Sequence, residues 1–221
     1  MSVNGTITPT AVAAIARAIY TKGPIWTRAL QHWRPFICPF DVVMEEVTPG
    51  SFVLDIGCGG GLLLGALAST KRISGGVGFD FSSDAIQVAV AMVGSLKFDS
   101  GLKFQQLSAL DSWPEGPFTA VTLVDVMHHV PVDSQRDVFK KAASMLRPGS
   151  RLIYKDIAPR PRWRAWANTV HDLILARQWV HYVPMSTIEE WAKADGLLML
   201  RTYRINRLWY GHHFAVFVRP D

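Results

Sequence analysis

Apolar and polar positions follow two alternating patterns between Ser51 and Ile157: short apolar runs of strand length, then longer stretches at helical spacing. The spacing predicts strands at Ser51–Ile56, Gly76–Phe81, Leu102–Leu107, Phe118–Val126 and Arg151–Ile157. It predicts helices at Gly61–Thr70, Ser83–Leu96 and Ser134–Leu146. Ser82 or Ser83 is placed to cap the second helix, and Arg147-Pro148-Gly149 ends the third. Phe118–Val126 is apolar nearly throughout, as a strand covered on both faces requires. This rhythm predicts an α/β fold: a Rossmann-like, doubly wound, mostly parallel sheet with helices on both faces.

Both flanks break the rhythm. Thr10–Tyr20 reads as a helix and Asp41–Val47 as a shorter one. Between them Pro24, Pro35 and Pro39 predict an irregular, aromatic-rich segment over Thr21–Phe40. Beyond the fifth strand, Trp163–Val180 reads as a long helix and Thr187–Asp195 as a shorter one. Leu197–Tyr203 and Phe214–Val218 read as two further strands, an antiparallel pair at one sheet edge that completes seven. The expected organisation is one domain: a helical cap (1–48), a ligand-binding core (49–158), a helical lid (159–195) and the strand pair (196–221).

The chemistry concentrates at the end of the first strand. Val53-Leu54-Asp55-Ile56 runs into Gly57-Cys58-Gly59-Gly60-Gly61, and a helix follows. Strand, glycine turn and helix start form the layout of a nucleotide-binding loop, because glycine turns sharply and lets a ligand approach the backbone. A dinucleotide dehydrogenase would place a further glycine where Leu62 stands. The next strand ends in Gly78-Phe79-Asp80-Phe81, and an acid about 20 residues past the loop is placed to accept from ribose hydroxyls.

Asp-x-Gly-x-Gly-x-Gly, Asp55 to Gly61, followed by Asp80, resembles the first two motifs of the class I S-adenosylmethionine-dependent methyltransferases. The resemblance runs from Phe52 to Ile157. It implies S-adenosyl-L-methionine as cofactor, held by Asp55, Gly57, Cys58, Gly59, Gly61, Asp80 and Phe81. Leu107-Ser108-Ala109-Leu110 stands where the family places residues beside the adenine, although many members have Gly-Asp-Ala there. Val124-Asp125-Val126-Met127-His128-His129-Val130 resembles the fourth-strand segment that lines the transfer site, with Val124 and Asp125 framing the cofactor. Leu146-Arg147-Pro148-Gly149 resembles the turn before the fifth strand.

Ligands in such sheets bind beyond the carboxyl ends of the strands. That position, with the near-neutral titration of imidazole, makes His129 the first candidate for a general base. Asp156 follows as a base or as an anchor for Arg160 or Arg162, and His171 as a residue facing substrate from the lid. His212 and His213, neighbours on a strand, point to opposite faces and cannot readily share a metal; no metal site is expected.

Composition narrows the field. The chain has 221 residues and a net charge of +5, mildly favouring an acidic partner. No apolar run approaches the roughly 18 residues that span a bilayer, and no secretory signal pattern opens the chain, so a soluble cytoplasmic protein is expected. Cys38 and Cys58 are expected to be reduced thiols. The expected partner is a small-molecule acceptor, acidic, aromatic or lipid-linked, methylated on oxygen or nitrogen. The competing readings are a methyltransferase acting on RNA or protein, and a cofactor-binding scaffold without activity; no nucleic-acid-binding module is visible.

Overall fold

The structure, a computed structural model, describes residues 6–158, 181–208 and 210–221. The expected lid helix, with Arg160, Arg162 and His171, lies outside the described residues.

Three helices precede the sheet: α1 (Pro9–Ile19), α2 (Ile25–Ile37) and α3 (Phe40–Glu46). The alternating core follows as β1 (Ser51–Ile56), α4 (Leu62–Ser69), β2 (Ile73–Asp80), α5 (Ser83–Val93), β3 (Leu102–Gln106) and β4 (Ala120–Val124). A single 3₁₀ turn at Met127–His129 leads to α6 (Val132–Ser144) and β5 (Arg151–Ile157). Finally come α7 (Met185–Ala194), β6 (Leu198–Arg207) and β7 (Tyr210–Val218). The strand order is β3-β2-β1-β4-β5-β7-β6; β1 to β5 pair in parallel, and β7 pairs antiparallel with both β5 and β6. The doubly wound sheet and its antiparallel edge are those expected from the sequence.

Each face of the sheet buries its own core. On one face α1, α3, α4 and α5 cover Val53, Ala120, Val124, Ile153, Phe214 and Val216. On the other, α6 and α7 cover Leu54, Val121, Leu123, Leu152, Tyr154 and Phe217. The alternation along β1, β4, β5 and β7 follows the two-residue repeat of a strand. α6 and α7 are also tied by a bidentate Arg136–Asp195 pair at 2.7 and 2.8 Å, a partly exposed contact that contributes about 1 kcal/mol at most. Ser82 Oγ accepts from the N–H of Ala85 and so caps α5 as expected.

Two departures from the sequence reading matter. The predicted fourth strand ends early, at Val124, because Asp125 adopts a left-handed conformation (φ +57°) that turns the chain into the 3₁₀ turn. Thr21–Phe40 is also not irregular: it holds α2. Its prolines sit where a helix tolerates them. Pro24 precedes the first residue, Pro35 lies in the last turn, and Pro39 follows the end. Charge and hydropathy on α2 are inverted: Gln31 and Pro35 are buried, whereas Ile25, Trp26, Leu30 and Trp33 face outward.

Candidate active site

The winding of the sheet reverses between β1 and β4, which opens a crevice at their carboxyl ends. A cavity of about 450 Å³ lies there. Gly57, Phe79, Asp80, Phe81, Leu107, Ser108, Ala109, Leu110, Asp125, Val126, His129, Val130 and Pro131 line it. Eight of the residues singled out in the sequence therefore share one wall: Gly57, Asp80, Phe81, Ser108, Ala109, Leu110, Asp125 and His129.

The glycine turn explains the cavity's shape. Gly57 has φ +68°, and a Cβ there would stand 2.4 Å from Val126 Cγ2. Gly61 has φ +80°, and its Cβ would stand 2.7 Å from Phe104. Both positions need a residue without a side chain. The turn is fastened to β2 by Cys58 N–H donating to Phe79 C=O at 2.9 Å. Asp80 is held in place by two donors, Gly59 N–H and Ser82 N–H, each at 2.9 Å. A carboxylate retains further acceptor sites after such bonds, so Asp80 can still receive hydroxyl donors from the cavity. Phe81 and Leu110, also in the lining, expose apolar side chains, a surface suited to a flat aromatic base.

The other loop residues lie behind this wall. Asp55 is buried beneath the turn, with Thr122 Oγ1 donating to it at 2.6 Å. Burial pushes its carboxyl up to about 7; the Thr122 bond opposes this, nearby Asp80 adds to it, and Arg34 opposes it. Cys58 is buried, and burial raises its thiol well above the ordinary range. Cys38 is likewise a free, buried thiol, pushed up to about 12 by burial. Val124 is buried in the sheet and faces away from the cavity wall.

The N-terminal segment adds three contributors that the sequence reading did not single out, two of them on α2, which its prolines concealed. Tyr20 donates its hydroxyl to Gly60 C=O at 2.7 Å. Gln31 lies so near the loop that a Cβ on Gly60 would stand 2.6 Å from its Nε2, and one on Gly59 would stand 3.0 Å from an Arg34 guanidinium nitrogen. The inward face of α2 is thus a polar roof over the glycine turn. A clean apolar arc on the other side of Ile25–Ile37, at helical period, is the signal that would have revealed it.

On the far side of the cavity, charged and imidazole groups meet at the ends of β4, β5 and β7. Lys155 Nζ donates to both carboxylate oxygens of Asp125 at 2.5 Å, and Asp125 N–H donates to Lys155 C=O at 2.9 Å. Burial alone would raise the Asp125 carboxyl, but the Lys155 ammonium outweighs it and holds the group well below the carboxylate range. Burial alone would lower Lys155, and the same pairing raises it instead. His128 donates from Nδ1 to Asp156 Oδ1 at 2.5 Å. Tyr154 Oη and the Ile157 N–H complete the Asp156 environment at 3.4 and 2.7 Å. Asp156 is thus buried against His128 and is not among the residues that line the cavity.

His129 occupies the wall itself. Its ring lies 4.1 Å from that of His128, and its Nδ1 is buried without a hydrogen-bond partner among the described residues. Burial, reinforced by His128 and opposed by Asp156, lowers it to about 4, so the ring is neutral at pH 7. Asp125, His128 and Asp156 offer atoms within 4.8 Å of one another, a group of metal-ligating types that folding assembles from separate strands. Lys155 already places a cation on both oxygens of Asp125. His212 and His213 do face opposite ways: His212 Nε2 donates to Ile37 C=O at 2.9 Å, while His213 lines a second, smaller recess with Arg204 and Glu189.

Fold and site together define an S-adenosylmethionine-dependent methyltransferase. The sequence profile of a methyltransferase domain matches residues 25–202. The ubiquinone biosynthesis O-methyltransferase of Coxiella burnetii is 30% identical over 167 residues, covering 72% of this chain and 68% of that protein. Among solved structures, the magnesium protoporphyrin IX methyltransferase of Synechocystis PCC 6803 with bound SAH superimposes with a TM-score of 0.66. It is 20% identical, with 93% of each chain covered. A cyclopropane synthase from Mycobacterium tuberculosis shares the fold with a TM-score of 0.67 and 13% identity, covering 81% of this chain and 82% of that one. The chain belongs to the methyltransferase family, and its cofactor is S-adenosylmethionine. The family agrees with Leu62, which stands where a dinucleotide dehydrogenase would place a glycine.

Proposed function

We propose that the chain methylates an oxygen of a small hydroxylated acceptor, with His129 receiving the hydroxyl proton. The observation that carries this reading is the neutral His129 imidazole on the cavity wall, with a buried and unpartnered Nδ1. The name of the Coxiella relative, an O-methyltransferase, supports oxygen as the accepting atom. The mixed company of this fold, which includes a cyclopropane synthase, is the reason the site and not the fold must carry the choice.

The residues present fit the cofactor. Gly57 and Gly61 leave the backbone bare where a Cβ would collide, Gly59 has a left-handed backbone, and Asp80 offers acceptors suited to ribose hydroxyls. Phe81, Ser108, Ala109 and Leu110 would flank the adenine. Arg34, beside Gly59 and Asp55, is the cation available to the carboxylate of the methionine end. Bound there, the cofactor supplies an electrophilic methyl group on a sulfonium. The protein's own contribution is position and proton management. His129 accepts a hydrogen bond from the acceptor hydroxyl and sharpens its oxygen as a nucleophile. His128, fixed by Asp156, packs against His129 and sets its ring orientation; Asp156 is thus a positioning residue.

The test is His129→Ala and His129→Gln, assayed with S-adenosylmethionine against a panel of small phenols and hydroxy acids. SAH release coupled to an O-methylated product is expected from the native chain. The His129→Ala protein should lose roughly 10²-fold or more in kcat while SAH affinity stays within about twofold. Native activity on N-acceptors, RNA or protein with none on hydroxyls would overturn the reading.

A further inference from the structure

An amphipathic helix on a globular protein normally turns its apolar stripe to the core. α2 does the reverse. Ile25, Trp26, Leu30 and Trp33 are 79%, 77%, 53% and 61% exposed, while Gln31 is buried against the glycine turn. At ~100° per residue these four side chains, with Ala29 between them, fall on one arc of the helix. The helix cannot roll to hide them. Its inner face is pinned by His32 Nδ1 donating to Ala13 C=O at 3.0 Å and by Arg17 donating to His32 Nε2 at 2.7 Å. Arg28 Nε donates to Tyr20 C=O at 2.9 Å and holds the start of the helix in the same orientation.

The charge around this stripe is one-sided. The first 40 residues contain no aspartate or glutamate, and they carry Arg17, Lys22, Arg28 and Arg34. Arg17, Lys22 and Arg28 are exposed. Exposed tryptophans beside arginines, on a helix with a polar opposite face, are the chemistry of an element that lies in a bilayer interface. No described helix is long and apolar enough to cross a membrane, so the contact is a surface one.

We infer that α2 is a docking face for an anionic lipid bilayer: its tryptophans and aliphatic residues enter the headgroup region, and Arg17, Lys22 and Arg28 meet the lipid phosphates. This reading stands independently of the methyl acceptor, because it rests on the outer face of α2 and uses no residue of the cavity.

The experiment is co-sedimentation of the full chain with vesicles of phosphatidylcholine alone and of phosphatidylcholine mixed with phosphatidylglycerol, at low and high NaCl. The native chain should sediment with the mixed vesicles, be released by salt, and stay in solution with phosphatidylcholine alone. W26E/W33E should bind the mixed vesicles roughly tenfold less or weaker still. Its thermal unfolding and SAH affinity, measured in parallel, should match the native chain and so report an intact fold; L30E serves as a second variant should the double one not fold. Native protein that ignores the mixed vesicles, or that binds both vesicle types equally, overturns the inference. So does W26E/W33E binding as tightly as the native chain. A native dimer that W26E/W33E converts to a monomer, with no vesicle binding, overturns it and assigns the face to a second copy. RNA binding that is equal in both proteins, again with no vesicle binding, overturns it in favour of a polyanion.

Discussion

At the scale of single residues, the cofactor half of the site depends on a few atoms whose loss has calculable consequences. Removing the Asp80 carboxylate deletes charge-assisted hydrogen bonds, each of about 1.5–3 kcal/mol. Asp80→Ala should therefore weaken SAH binding by roughly 10- to 100-fold in calorimetric titration. Gly57→Ala adds a Cβ 2.4 Å from Val126 at a left-handed backbone position, so it should lower both the Tm and SAH affinity. These residues were legible in the sequence because their chemistry is local: a strand, its glycine turn and the acid ending the next strand lie within Asp55–Asp80. The His128–Asp156 pair was not legible, since its members are 28 positions apart and only the register of adjacent β4 and β5 brings them together. The sequence offered Asp156 as a base or as an anchor for Arg160 or Arg162, and nothing local in it shows the pairing with His128.

At the scale of elements, β1 to β5 could be read from the alternating pattern: β1, β4 and β5 are buried on both faces, and even the mostly exposed edge strand β3 keeps Leu102 and Phe104 on one side. α2 could not. Its prolines read as breakers, although a helix accepts proline before its first turn and loses only one hydrogen bond to Pro35 in its last. Nor could the early end of β4 be seen: Val126 and Met127 are apolar and continue the pattern, while the turn comes from Asp125, whose paired Lys155 lies on the next strand. That pair gives the element-scale prediction. Asn tolerates the left-handed conformation at position 125, so Asp125→Asn keeps the backbone and removes the charge. It leaves the Lys155 ammonium buried without its counter-ion and should cost about 3–5 kcal/mol in denaturant unfolding. Adding Lys155→Met should restore much of that loss.

At the scale of the whole molecule, buried titratable groups set the response to acid. His129 and His212 are lowered to about 4 and about 3, each by burial first. His213 is lowered by burial and by Arg204. Between their unfolded value of about 6.5 and these folded values, the unfolded chain binds more protons. Acidification through that window therefore destabilises the fold. Asp55 acts in the opposite sense: raised to about 7, it binds a proton in the folded state before the unfolded chain does, so acid favours folding through it. Several histidines against one aspartate predict a Tm that falls from pH 7 to pH 5. Asp55→Asn removes the opposing group, and the fall should become steeper in thermal melts across the same range. An unchanged slope would show that Asp55 does not carry the compensating proton.

The left-handed Asp125 has a practical corollary for anyone wishing to re-engineer the enzyme. A non-glycine residue at φ +57° admits few substitutes, and Lys155 behind it admits fewer. A mutational library that randomises position 125 would consist mostly of misfolded clones. Variation is better spent on half-buried Ser108 and exposed Leu110, which line the cavity without a left-handed backbone, where altered side chains could admit cofactor analogues carrying a bulkier base.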